Sequence, residues 1–132
     1  MIRLNQRRMM VHHVLIPFTD TDEAKKALEH ALTSFPDAKH TVLHINDANG
    51  TSEGGRRQLE YAEEMADEAG TPVETELREG APIDEIMRFI EEADVNHVVM
   101  GSRGRSGMSR LLLGSVAEAV VRRSEVPVTV VR

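Results

Sequence analysis

The residues best suited to chemistry in this chain lie between Val95 and Val131. A short apolar run, His97-Val98-Val99-Met100, is too short for a buried helix and is bounded by glycine, which predicts a buried strand. It gives way to a loop with three glycines, Gly101, Gly104 and Gly107, interleaved with Ser102, Arg103, Arg105 and Ser106, and followed by Arg110. The chain then resumes at Gly114-Ser115 as a helix whose apolar face is Val116, Ala117, Val120 and Val121. Glycines let backbone N–H groups come close to an anion. A helix N-terminus adds unpaired N–H groups and a positive dipole end. A strand, a glycine-and-arginine loop and a helix in that order predict a phosphate cradle. It is neither common kind: no lysine follows the glycines as in a P-loop, and no G-x-G-x-x-G follows the first strand.

The rest of the composition narrows the field. Sixteen basic against 22 acidic residues leave a formal charge of −6, which argues against general nucleic-acid binding. The charge is uneven, because residues 101–132 hold six arginines against Glu118 and Glu125, so the cradle end is locally positive. Without cysteine there is neither a disulfide nor a thiolate metal site. No apolar run approaches the roughly 20 residues that cross a bilayer, and nothing resembles a signal peptide, so a cytoplasmic protein is expected. Of the six histidines, His12 and His13 point to opposite faces of a strand. His40 and His44 share a face, where strand packing is a stronger reading than a zinc pair.

The elements that must position the cradle follow from periodicity. Residues 1–10 read as an N-terminal extension and residues 11–132 as one domain. Val11 to Phe18 is a strand with Pro17 at its carboxyl end. In the loop Thr19-Asp20-Thr21, Asp20 or Thr21 can cap the next helix, with Glu23 as a capping-box partner of Asp20 and a stripe of Ala24, Ala27, Leu28, Ala31 and Leu32. Lys39 to Asn46 is a second strand, residues 47–55 a polar loop, and Arg57 to Ala69 a helix closed by Gly70. Pro72 to Leu77 alternates as a half-exposed strand, and Gly80-Ala81-Pro82 opens a helix with Ile83, Ile86, Met87 and Ile90 inward. The last strand is Pro127 to Val131. Strands alternating with helices imply right-handed crossovers and a parallel, doubly wound α/β sheet of five strands and four helices.

The spacing Gly101-x2-Gly104-x9-Gly114-Ser115 resembles the G-x2-G-x9-G-[S/T] pattern of the universal stress protein family, in its ATP-binding branch. The resemblance runs from about Val11 to Arg132. It implies an adenine nucleotide α-hydrolase-like fold with strand order 3-2-1-4-5, whose switch point lies between the first and fourth strands, where ligands of open α/β sheets bind. It also implies a site residue by residue. Met100, Gly101, Ser102, Arg103, Gly104, Arg105, Ser106 and Gly107 would wrap ribose and phosphates, and Gly114, Ser115, Val116 and Ala117 would hold the phosphate end. Ile45 would meet the adenine edge through its backbone, and Pro17, Phe18, Thr19, Asp20 and Thr21 would close over the ribose. The chain departs from the pattern once, with Thr19 where ATP-binding members usually carry aspartate and Asp20 one place late.

The function implied is an ATP-binding, homodimeric stress-response factor with at most slow hydrolysis. ATP would carry Mg²⁺ or Mn²⁺, and the dimer would form through the terminal strand, Val126 to Arg132. No residue stands out as a base for an attacking water. The alternative is a dimeric interaction module without nucleotide.

Overall fold

The computed structural model describes residues 10–47, 49–103 and 113–132. In chain order the elements are β1 (His13–Pro17), α1 (Asp22–Ser34), β2 (Lys39–Asn46), α2 (Ser52–Ala69), β3 (Glu74–Glu79), α3 (Pro82–Glu92), β4 (His97–Gly101), α4 (Ser115–Arg123) and β5 (Val128–Val131). The five strands form one sheet in the order β3-β2-β1-β4-β5, every neighbour parallel. The chain thus leaves β1 toward one edge, returns across it after β3, and builds outward to β5. The expected doubly wound α/β architecture and strand order hold.

Alternation along the central strands divides the core between two faces. Val14, Ile16, Val42 and Val99 pack with Ala27, Leu28, Ala31 and Leu32 of α1 and with Leu59, Ala62 and Ala66 of α2. On the opposite face Leu15, Leu43, Val98 and Met100 pack with Ile86, Phe89 and Ile90 of α3 and with Ala117 and Val120 of α4. Both faces of β1 and β4 are covered, which is why those strands read as continuous apolar runs rather than alternating ones. Fully burying one leucine or isoleucine of this kind contributes about 2 kcal/mol.

Caps set the helix starts. The Thr21 hydroxyl accepts from Ala24 N at 3.1 Å, and Asp22 and Glu23 in the first turn suit the positive dipole end. Thr21, not Asp20, makes the cap, and Glu23 is drawn away to Arg103. The Thr51 hydroxyl accepts from Gly54 N at 2.9 Å, so α2 begins at Ser52, five residues before the position that periodicity predicts. The polar stretch expected as loop up to residue 55 therefore holds the first turn of that helix. At the amino end of the sheet, Asn96 Oδ1 accepts from the amides of His12 and His13 at 3.0 and 3.1 Å, and its Nδ2 donates to Met10 O at 2.7 Å. Those bonds align the entry to β1 before its ladder starts.

Candidate functional site

A cleft of about 450 Å³ opens at the carboxyl ends of the strands. Three strand ends converge there, and backbone bonds hold them beyond the ladder. Phe18 N donates to Leu43 O at 2.8 Å, and His44 Nδ1 donates to Phe18 O at 2.8 Å, so the exit of β1 stays locked to β2. Ser102 N donates to Val131 O at 2.8 Å, and Gly114 N donates to Ser102 O at 2.7 Å. The chain that leaves β4 at Ser102 thus returns to the same point to start α4.

The wall facing α1 is set by one glycine. A Cβ on Gly101 would stand 2.8 Å from Ala24 N and 2.8 Å from the carbonyl carbon of Glu23, both backbone atoms that cannot step aside. Glycine at this place lets the end of β4 lie directly against the first turn of α1. From the next loop position Arg103 reaches back to Glu23, its Nε 3.1 Å from Oε1 and its Nη2 bonded to the same oxygen. The two side chains are 25% and 14% exposed. The Arg103 hydrogen bond holds the Glu23 carboxyl below its ordinary range, so the pair is charged at neutral pH.

Of the residues assigned to the site from sequence, Pro17, Phe18, Thr19, Ile45, Met100, Gly101, Arg103, Val116 and Ala117 line the cleft. Gly114 is the N-cap of α4 and, being glycine, makes no side-chain cap bond, and among the described residues no side chain caps that helix. The first amides of α4 are therefore without the side-chain acceptor that α1 and α2 have. Ser115 is exposed at the start of the helix, and Ser102 is buried and does not line the cleft. Thr21 is committed to its cap. Asp20 turns outward to Lys25, 3.3 Å away, and lines a separate shallow depression with Arg57 and Tyr61. Thr19 therefore lines the cleft at the position where the ATP-binding pattern carries an aspartate, and Asp20, one place late, does not. Gly104, Arg105, Ser106, Gly107 and Arg110 lie outside the described residues.

Sequence reasoning missed the far wall. Asn46 and Asp47 at the end of β2, the cap Thr51, Gly54, Gly55 and Gln58 in α2, and Pro82 and Ile86 in α3 also line the cleft. Gly55 has a local signal, because a glycine pair inside a helix calls for a reason. A Cβ there would stand 2.7 Å from Asn46 Oδ1 and 2.7 Å from Leu77 Cδ1, so glycine lets α2 close down on β2 and β3. Among the described residues no group of three or more His, Cys, Asp or Glu is placed to hold a metal ion. No helix among them is long and apolar enough to cross a membrane.

Three other histidines, His13, His40 and His97, serve the opposite end of the sheet. His13 Nδ1 donates to Ala93 O at 2.9 Å, and its Nε2 lies 2.8 Å from Thr41 Oγ1. His40 Nε2 donates to Ala31 O at 3.2 Å, and His97 Nε2 lies 2.8 Å from Thr129 Oγ1. Burial lowers the pKa of all three.

A parallel, doubly wound α/β sheet with a cleft at its switch point defines the class of open α/β folds that take ligands at the carboxyl ends of their strands. The universal stress protein family model matches residues 10–132, and the chain belongs to that family. It is 33% identical over 137 residues to universal stress protein MJ0531 of Methanocaldococcus jannaschii, covering 90% of this chain and 81% of that one. The solved structure of MJ0577 from the same organism superposes with a TM-score of 0.82 at 27% identity, over 92% of this chain and 96% of that one. A family member from Arabidopsis thaliana, solved with AMP bound, superposes with a TM-score of 0.67 at 24% identity, over 91% of this chain and 90% of that one.

Proposed function

We propose that this chain is an ATP-binding universal stress protein that works as a homodimer in the cytoplasm and hydrolyses ATP slowly at most. The observation that carries the reading is the cleft itself. Its volume of about 450 Å³ falls in the range of small-molecule sites, and it lies between the exits of β1 and β4, where the topology predicts a ligand. Its two ends differ in the way a nucleotide's do. The β2 side offers Ile45 and Ile86, suited to a flat heterocycle. The β4 side offers Arg103 and the uncapped amino end of α4, suited to phosphates. AMP in the Arabidopsis protein and cAMP in another protein of the same fold agree in ligand class, although at 24% identity each speaks for the fold alone.

A Mg²⁺ or Mn²⁺ ion would arrive with the phosphates, because no metal-binding group of side chains is present among the described residues. Asp47, the acidic residue of the cleft lining, accepts from Asn49 N at 2.9 Å. It follows β2, two strand spacings or roughly 10 Å from the strand that feeds α4. That distance supports a bound ligand rather than rapid turnover, since phosphoryl transfer needs an aligned water or base at the phosphate. For the dimer, among the described residues β5 pairs with β4 alone and no strand lies on its outer edge, and its four residues are half-buried in the single chain. An open apolar edge of this kind invites pairing with a second copy.

The test is to denature the purified chain with no ligand added and identify what is released by mass. ATP near one per chain is expected. A chain that carries no adenine nucleotide, and takes none up from millimolar Mg-ATP, would favour the nucleotide-free interaction module, for which Thr19 in the cleft is the specific support.

A further inference from the structure

Among the described residues the charged side chains that line the cleft are Arg103 and Asp47, and Arg103 is already answered by a carboxylate from α1. Glu23 Oε1 accepts from Arg103 Nε at 3.1 Å and from Nη2 of the same guanidinium, while Glu23 itself stands off the lining. Two local features build this pairing in. Gly101 lets the first turn of α1 press against the exit of β4, where a Cβ would stand 2.8 Å from the carbonyl carbon of Glu23, and Arg103 follows two residues on. Glu23 is also two positions past the Thr21 cap, one short of the capping-box place, so its carboxylate reaches Arg103 rather than the cap amide.

The pairing is one that can be given up. In the first turn of α1 the positive dipole end favours a carboxylate. The Arg103 bond does most to hold the Glu23 carboxyl below its ordinary range, and a bond from its own amide and the charge of Lys26 act the same way. Without Arg103, Glu23 would therefore keep supports of its own instead of becoming a lone buried charge. Arg103, 25% exposed, lies at the cleft, where a second anion can reach it.

We propose that Glu23 is a resident competitor for the phosphates of the bound nucleotide: it holds Arg103 until a phosphate chain enters the cleft, and then yields it. This rests on the nucleotide reading above and adds to it a control on affinity. Two effects of the Glu23 charge act in the same direction. It occupies a guanidinium that a phosphate would take as a two-pronged partner, and it repels the phosphate charge directly. Both grow with the number of phosphates, so Glu23 weakens ATP more than AMP and leaves adenosine untouched. A Glu23 that merely propped Arg103 in place for the ligand would have the opposite sign.

The experiment uses the full chain, with calorimetric titration of ATP, ADP, AMP and adenosine into the wild type and Glu23→Gln. Glutamine keeps the shape and a neutral bond to Arg103 but not the charge. The variant is expected to bind ATP roughly tenfold more tightly, AMP with a smaller gain, and adenosine unchanged. In an Arg103→Gln background the same substitution is expected to lose most of that gain. Unchanged affinity, weaker ATP binding, or an equal gain for adenosine and ATP would overturn the proposal and leave the nucleotide reading standing. If Glu23→Gln does not fold, the wild type decides. Its Glu23 carboxyl, followed by carbon NMR, is expected to titrate higher with saturating ATP than without it, and an unmoved titration would overturn the proposal. A wild type and a variant that both bind no nucleotide would overturn both readings.

Discussion

Thr19 and Asp20 show how one position changes a site. The backbone turns sharply after Phe18, with Thr21 N donating to Thr19 O at 2.8 Å, and that turn sends neighbouring side chains opposite ways. Thr19 enters the cleft and Asp20 leaves it for Lys25. A hydroxyl can bond a ribose hydroxyl, but a carboxylate does so about twice as strongly. Thr19→Asp is therefore expected to tighten ATP binding roughly tenfold in a calorimetric titration, since bonds to charged groups contribute about 1.5–3 kcal/mol. An unchanged affinity would mean that the ribose is held by other groups. At this scale the sequence was legible where residues cluster along the chain, as around Gly101 and Gly114. It was silent on Asn46 and Gly55, which meet only when α2 packs on β2, and on Glu23, whose pairing with Arg103 spans 80 residues.

Among the elements, periodicity placed all five strands and four helices, and its one clear miss was the start of α2. Gly54 and Gly55 have poor helix propensity, and tertiary packing overrides it: the Thr51 cap and the close approach to Asn46 and Leu77 outweigh the cost. The opposite requirement governs β4 and α1. Gly101→Ala is expected to destabilise the protein by about 1–3 kcal/mol in urea denaturation, because the new Cβ meets backbone rather than a movable side chain. A cost within a few tenths of a kcal/mol would show that α1 can shift away from β4 and that the close approach is not required.

In the whole molecule, the sheet order came from the family resemblance rather than from any single element, since alternation alone leaves the position of the switch point open. The same topology sends the cleft to one end of the sheet and the buried His13 and His40 and the half-buried His97 to the other. Burial lowers their pKa values, so the folded chain resists protonation while the unfolded chain takes up protons below about pH 6.5. Their contribution to stability is thus complete above that pH and is lost as pH falls toward the folded values. The melting midpoint is expected to drop between about pH 7 and pH 5, and His40→Leu, which removes a buried ring with one unpaired nitrogen, is expected to flatten that drop. An unaltered pH slope in that variant would exclude His40 as a source. The open β5 edge predicts a sedimenting mass near twice 14.7 kDa, and a monomer at micromolar concentration would count against pairing there.

The central claim is that the cleft takes ATP with its phosphates at the start of α4, and titration of ATP into the wild-type chain and into Gly114→Asp tests it most directly. The backbone at Gly114, φ −64° and ψ 159°, is one that aspartate adopts readily and that suits a helix N-cap, so the variant is expected to keep the fold by circular dichroism. Its carboxylate would occupy the amides and oppose the phosphate charge. Saturable binding by the wild type and its loss in the folded variant is the predicted result. Equal affinity in the two would contradict the placement of the phosphates, and no binding to the wild type would contradict the account as a whole.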